Sequence, residues 1–148
     1  MHGGNRGRAL ARTLIKRMDE ERLFTLEEAS QLLPRLRTIL IEAGDEWRRM
    51  RELNPEIQKV RDKVPMDGFA PMGVPYIEAV SHLMYLLQQV KDMGVHIKDV
   101  DKGLCDFPYM RNGRVVYLCW HLGEDSITTW HDIEAGFAGR EPLDETDR

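Results

Sequence analysis

The dipeptide Asn112-Gly113, flanked on both sides by residues that alternate between apolar and polar, constrains the fold of this chain more than any other stretch. Both central residues of a type I′ turn need positive φ, which asparagine and glycine tolerate, so the dipeptide predicts a two-residue β-hairpin. Its strands are Leu104 to Arg111 and Arg114 to Leu122. In this hairpin Asp106 lies opposite Cys119, and both point to the same face of the sheet.

Alternation along the two strands predicts one core face and one polar face. The core face carries mainly apolar side chains, namely Cys105, Phe107, Tyr109, Val116, Leu118, Trp120 and Leu122. The other face carries Asp106, Tyr117, Cys119 and His121. We therefore expect ionisable groups to collect on the side of the hairpin that faces away from the core.

A third strand, Val95 to Val100, is predicted before the hairpin. A three-residue loop, Asp101-Lys102-Gly103, with Gly103 in the left-handed region pairs Val100 with Leu104. Lys98 then lies opposite Asp106, and His96 and Lys98 join the polar face. A two-residue loop would instead turn both side chains into the core, so the three-residue loop is the better interpretation.

The first half of the chain has helical periodicity. Thr25 and Glu28 have the spacing of a capping box and predict a helix start. We expect a short helix to Leu33, a second helix from Pro34, and a break at Asn54-Pro55. Proline and glycine between residues 63 and 75 predict a loop. A last helix then runs to Met93 with a stripe of Ile77, Val80, Leu83, Met84, Leu87 and Val90.

These patterns predict an α+β fold, in which a long antiparallel helical hairpin packs with a three-stranded antiparallel β-meander. The length of 148 residues suits one domain, which we place at residues 23–142. Residues 1–22 are expected to form a flexible basic N-terminal arm, since five Arg or Lys precede the first acid. Residues 143–148 are expected to form a solvated tail. The apolar stripes of the helices predict a homo-oligomer, specifically a dimer formed through the helices.

The composition of the chain indicates its cellular compartment and the kinds of partner that it could bind. No apolar run approaches the ~20 residues that cross a bilayer, and no secretory signal is visible. The formal net charge of −4 argues against nucleic-acid binding except through the basic arm. Cys105 and Cys119 point to different faces of the hairpin, so we expect free thiols and a cytoplasmic protein.

Several short motifs resemble one bacterial family. They are Lys98-Asp99 through Gly103-Leu104 to Asp106-Phe107-Pro108, Leu118-Cys119-Trp120 with Leu122-Gly123-Glu124, Trp130-His131 with the run from Ala135 to Arg140, and the segments Phe24 to Ala29 and Leu32 to Arg35. The chain is similar over about residues 23–142 to domain of unknown function 2203, whose members sometimes have the label division initiation protein. The resemblance implies no activity, and it does not cover the arm or the Asn54-Pro55 pair.

Candidate ligand-binding residues lie in and after the meander. They are Lys98, Asp106, Cys119, Glu124, His131 and Arg140. Asp106, His121, Glu124 and His131 could hold zinc or iron, although no HExxH or CxxC motif supports such a site. His131 could equally be a ring packed beside Trp130 and hydrogen-bonded to the backbone. Arg140 could clamp an anion, or tie the C-terminal loop to Glu124 or Asp106.

Two functional hypotheses follow. The first is an oligomeric cytosolic module whose sheet face binds a partner or a small ligand. The alternative is a metal-binding protein or metal-dependent enzyme that uses a polar site at the C-terminal sheet. Cys119, His121 and Asp106 resemble a thiol-imidazole-carboxylate set, but neighbouring side chains on one strand face are parallel and rarely form a nucleophile-base hydrogen bond. The first hypothesis is preferred, and whether the protein is an enzyme stays open.

Overall fold

The structure, a computed structural model, describes residues 21–61 and 73–148, with only the backbone of residues 56–61. Within these residues, two α-helices and one antiparallel sheet confirm the α+β class. The sheet has five strands rather than the predicted three, in the order β1-β2-β3-β4-β5. The elements are α1 (Leu26–Arg61), α2 (Gly73–Asp92), β1 (His96–Asp99), β2 (Leu104–Arg111), β3 (Arg114–His121), β4 (Thr129–His131) and β5 (Glu141–Pro142).

Helix α1 begins at the predicted capping box. The Glu28 amide donates to the Thr25 hydroxyl at 3.1 Å, and the Thr25 amide donates to the Glu28 carboxylate at 2.9 Å. The predicted interruptions at Pro34 and Asn54-Pro55 are wrong, because both prolines lie inside one 36-residue helix. Proline removes one backbone hydrogen bond. At Pro34, burial of Leu33 and Leu36 on either side keeps the helix continuous.

The buried stripe of helix α2 overlaps the predicted one only in part, at Leu83 and Val90. Ala79, Leu83, Leu86 and Val90 are buried in the core. Ile77 and Met84, predicted to be core residues, are 55% and 62% exposed. Apolar residues occur around most of the circumference of α2, so periodicity alone did not decide which side packs against α1 and the sheet.

Dimerisation through the helices stays a prediction, and α2 provides the surface for its test. Val74, Ile77, Met84 and Tyr85 are exposed and share one face of the helix at 100° per residue. If this stripe is the interface, the double variant Met84→Glu/Tyr85→Glu should be a monomer while the wild type is a dimer at micromolar concentration in size-exclusion chromatography with light scattering. Arg35→Glu, an exposed change on α1, should leave the mass unchanged. A monomeric wild type would exclude this dimer.

The central hairpin has the predicted turn and register. Asn112 and Gly113 have φ of 51° and 81°, as a type I′ turn requires. Asp106 pairs with Cys119, and Phe107 pairs with Leu118. The predicted core face is buried at Cys105, Phe107, Val116, Leu118 and Trp120. These side chains join Leu36, Leu40 and Val90 of the helices in one apolar cluster.

The pairing of β1 differs from the predicted register. His96, not Lys98, lies opposite Asp106, and Asp99 pairs with Leu104. The register shifts between Ile97 and Asp99, so Lys98 is the extra residue of a β-bulge. Gly103 has the predicted positive φ, 63°. The predicted position of Lys98 opposite Asp106 is therefore wrong.

Both edges of the sheet are short. β1 has four residues and contains the bulge, and β5 has two residues and ends in Pro142. Beyond β1, the free side of β2 meets the segment just before α1, where the Phe24 amide donates to the carbonyl of Pro108 at 2.8 Å. The Phe24 ring also packs edge-on against Phe107, with 5.4 Å between ring centroids.

Residues 143–148, predicted to form a solvated tail, are mostly exposed, but Asp147 is buried against the sheet. Asp147 is 7% exposed and accepts hydrogen bonds from the Tyr109 hydroxyl at 3.1 Å and from Arg111 Nε at 3.0 Å. Arg111 also donates to Asp144 and stacks over Trp130. Side chains near the Asn112-Gly113 turn of the hairpin thus bind the end of the chain, a contact that the composition of the last residues did not predict.

Two further predictions fall largely outside the described residues. The basic arm was placed at residues 1–22, of which only Glu21 and Arg22 are described; Arg22 donates to the Met93 carbonyl at 3.0 Å. The predicted loop at residues 63–75 is described only from Gly73, where α2 begins. Neither described helix is long and apolar enough to cross a membrane.

Candidate functional site

A buried pair of ionisable side chains lies on the outer face of the sheet, the face opposite the helices. Asp106 on β2 and His131 on β4 are each 2% exposed. His131 Nε2 lies 2.9 Å from Asp106 Oδ1. Strand pairing explains the contact: β3 lies between the two strands, with Asp106 opposite Cys119 and His131 opposite Tyr117.

The hydrogen bonds of His131 define how the pair is held. Its Nδ1 lies 2.8 Å from the backbone carbonyl of Asp132, which can only accept, so Nδ1 carries a proton. One further proton lies between Nε2 and the Asp106 carboxyl group, on either partner. The ring is therefore fixed on both sides, and the pair is neutral as a whole, which makes its burial tolerable.

Cys119 completes a cluster with this pair. Its Sγ, the His131 ring nitrogen and an Asp106 carboxyl oxygen all lie within 4.8 Å of one another. Burial raises the pKa of the Cys119 thiol to about 12, and the nearby Asp106 charge acts in the same direction. A thiol with so high a pKa is a poor nucleophile at neutral pH. The cluster is thus poorly suited to cysteine nucleophilic catalysis.

A second polar cluster lies beside the first. Arg140 Nη1 lies 3.2 Å from Glu124 Oε1, and His121 Nε2 lies 3.4 Å from the same oxygen. Of the alternatives left open for Arg140, the structure shows the tie to Glu124. The Arg140 guanidinium also lies over the Phe137 ring, with its Cζ atom 4.1 Å from the ring centroid. This cluster fastens the segment after β4 to the turn after β3.

Lys98 lies at the rim of the same face. Its Nζ is 5.4 Å from the centroid of the Tyr117 ring, and the rings of His96 and His131 flank that tyrosine. Burial raises the pKa of the Tyr117 hydroxyl, so it stays protonated at neutral pH. Within residues 21–55 and 73–148, no acidic side chain forms an ion pair with Lys98.

Two adjoining cavities open onto the outer face, and we call them together the outer cleft. The larger, about 380 Å³, is lined by Asp99, Lys102, Leu104, His121, Leu122 and Phe137. The smaller, about 220 Å³, is lined by Lys98, Leu104, Asp106, Cys119, His131, Ile133, Glu134, Gly136 and Phe137. Leu104 and Phe137 line both cavities. The outer cleft therefore places an apolar space beside the Asp106–His131 pair.

The structure sorts the predicted candidate residues into groups. Asp106, Cys119 and His131 lie together; Glu124 and Arg140 form the neighbouring pair; Lys98 lies at the rim. His121 and Glu124, predicted as metal candidates, do not belong to the group with Asp106. The sequence interpretation missed Leu104, Ile133, Glu134 and Phe137 as cleft walls. Of these four, only Ile133 and Phe137 had a sequence signal, as the large apolar residues of the otherwise polar or small-residue segment around Gly136.

The part of the chain that the structure describes is an α+β fold with a two-helix layer, a five-stranded antiparallel sheet and a polar cleft on the outer face of that sheet. The family model described as "Uncharacterized conserved protein (DUF2203)" matches residues 22–143, so the chain belongs to that family. No curated protein matches the chain, and no solved structure matches it either.

Proposed function

We propose that the protein is a small-ligand-binding module and that the outer cleft is its binding site. The observation that supports the proposal is the form of the cleft, in which apolar walls adjoin a buried, oriented polar pair. Ligand sites are typically concave, mostly apolar and equipped with a few fixed polar groups. Leu104, Leu122 and Phe137 supply the apolar walls. Asp106 and His131 supply the polar floor.

The charges at the rim indicate the chemistry of the ligand. Lys98 and Lys102 line the two cavities. The Asp99 carboxylate, which lines the larger cavity, already accepts from the backbone amide of Lys102 at 3.0 Å. Glu134 lines the smaller cavity, and its charge disfavours a polyanion. The cleft therefore suits a partly apolar molecule with a single anionic group.

A fluorescent probe with these features tests the proposal. The dye 8-anilinonaphthalene-1-sulfonate has an aromatic body and one sulfonate, and we expect it to bind the native protein saturably at one equivalent with a rise in fluorescence. Phe137→Ala should weaken binding most, because Phe137 is a wall of both cavities. Lys98→Ala/Lys102→Ala should weaken it several-fold, since an exposed ion pair contributes about 0.2–1 kcal/mol.

The exposed stripe on α2 provides the control, because the dye could also bind there. Met84→Ser removes a large exposed apolar side chain from that stripe and should leave dye affinity unchanged. Equal affinity in the wild type and Phe137→Ala, with a loss in Met84→Ser, would refute the outer cleft as the site.

A further inference from the structure

Three different metal-binding atoms meet at the floor of the outer cleft. A carboxyl oxygen of Asp106, Sγ of Cys119 and a ring nitrogen of His131 lie within 4.8 Å of one another, and all three residues are buried. Ligand atoms of tetrahedral zinc lie roughly 3.3–3.7 Å apart, given metal-ligand distances of about 2.0–2.3 Å. The three side chains therefore need only small adjustments to share one ion.

The backbone fixes the positions of these three side chains. They come from three adjacent strands, β2, β3 and β4, with Cys119 directly opposite Asp106 on one side and Thr129 on the other. A site built on paired strands holds its groups more rigidly than one built on loops. The register that the Asn112-Gly113 turn establishes thus preorganises Asp106 and Cys119, and the pairing of β4 with β3 brings His131 to them.

The orientation of His131 is a second, independent indication. Its Nδ1 donates to the Asp132 carbonyl at 2.8 Å, and Nε2 points to Asp106. A histidine that binds a metal commonly donates its other ring N–H to a backbone carbonyl or a carboxylate, which fixes the tautomer and the ring. Nε2 is thereby the nitrogen available for coordination.

We propose that Asp106, Cys119 and His131 bind one divalent transition-metal ion, best matched by Zn²⁺. Thiolate and imidazole ligands suit zinc, and carboxylate completes a set that zinc accepts. One carboxylate, one thiolate and a neutral imidazole carry two negative charges, which a dication balances in the buried site. Three protein ligands leave a fourth coordination position for water or another small ligand.

The cleft gives the ion a path to the site. Asp106, Cys119 and His131 all line the smaller cavity, whose wall also includes Lys98. A metal site needs such an entry route as well as its ligands. The proposal does not depend on the ligand proposed for the outer cleft, because zinc binding is measured without any organic molecule.

The test uses the full chain, purified without an affinity tag and stripped with a chelator. Titration with Zn²⁺ against a chromophoric chelator should give one equivalent bound. Loss of a side chain that only hydrogen-bonds to a metal ligand weakens metal binding by about 10–100-fold. Cys119→Ser and His131→Gln each remove a ligand and should weaken Zn²⁺ binding by more than that. Co²⁺ in place of Zn²⁺ should give a thiolate-to-cobalt charge-transfer band that Cys119→Ser abolishes.

Matched controls are present in the same sheet. Cys105→Ser changes the other thiol, which lies on the core face, and His121→Gln changes another imidazole of the outer face. Both should retain one equivalent of Zn²⁺. Absence of stoichiometric binding in the wild type, or undiminished binding in both Cys119→Ser and His131→Gln, overturns the proposal. If those variants lose native circular dichroism, the wild-type cobalt band decides: its presence supports the site and its absence overturns it.

Discussion

Asp106→Ala should lower the free energy of unfolding by about 3–5 kcal/mol, because it leaves His131 buried without its partner. The two side chains are each 2% exposed and lie 2.9 Å apart. Asp106→Asn should cost less, about 1–2 kcal/mol, since its amide can donate to Nε2 of a neutral His131 ring. Denaturant titration of each variant, in the presence of a chelator, measures these differences.

An exposed ion pair of similar length provides the matched control. Asp45 and Arg48 lie 2.8 Å apart on the surface of α1, and Asp45→Ala should cost no more than about 1 kcal/mol. The loss of stability in the double variant Asp106→Ala/His131→Ala should be smaller than the sum of the losses in the two single variants. Each single change leaves the other side chain buried without its partner, and the double change does not. If Asp106→Ala costs no more than Asp45→Ala, the buried pair has no structural role.

The second large effect should appear at alkaline pH. Burial raises the pKa of the Cys105 thiol from its ordinary 9.0 to about 12, with a smaller contribution from the charge of Asp106. Above pH 9 the unfolded chain loses this proton while the folded chain keeps it, so stability falls as pH rises. The slope from this one group is up to about 1.4 kcal/mol per pH unit, or about 4 kcal/mol by pH 12.

Cys105→Ala removes the contribution of this thiol and should make the fall in stability between about pH 9 and 11 less steep, while Cys119, whose pKa is also raised to about 12, continues to contribute. Guanidinium unfolding in the presence of a reductant, repeated across this range, measures the slope. Val116→Ala is the control, because Val116 is also fully buried but does not titrate. Its loss of stability should be the same at every pH. Identical pH dependence in Cys105→Ala and the wild type would show that Cys105 ionises normally in the folded protein.

The sequence predicted the parts of the fold that depend on local chemistry. Asn112-Gly113 fixed the hairpin and its register, Gly103 adopted the left-handed conformation, and Thr25 with Glu28 capped α1. Each of these is decided by a few adjacent residues. The β-bulge at Lys98 was not predicted, because the loop after β1 is compatible with more than one register.

The candidate site was only half predictable for a related reason. Opposition of Asp106 and Cys119 follows from the hairpin turn, so their proximity could be inferred from sequence. The contact of His131 with Asp106 depends on how β4 pairs with β3 after an irregular connection from Gly123 to Thr128. No turn motif sets that register. The long-range binding of Asp147 by Arg111 likewise had no local signal.

The short sheet edges have a consequence for self-association. An exposed row of peptide groups lets strands of separate molecules pair, which leads to fibres or aggregates. Here the bulge in β1, the two-residue β5 with its proline, and the hydrogen bond from Phe24 to Pro108 leave no long run of unpaired backbone at either border of the sheet among the residues that the structure describes. We therefore expect any assembly of this protein to form through side-chain contacts between helices, and to dissociate on dilution instead of growing by strand addition.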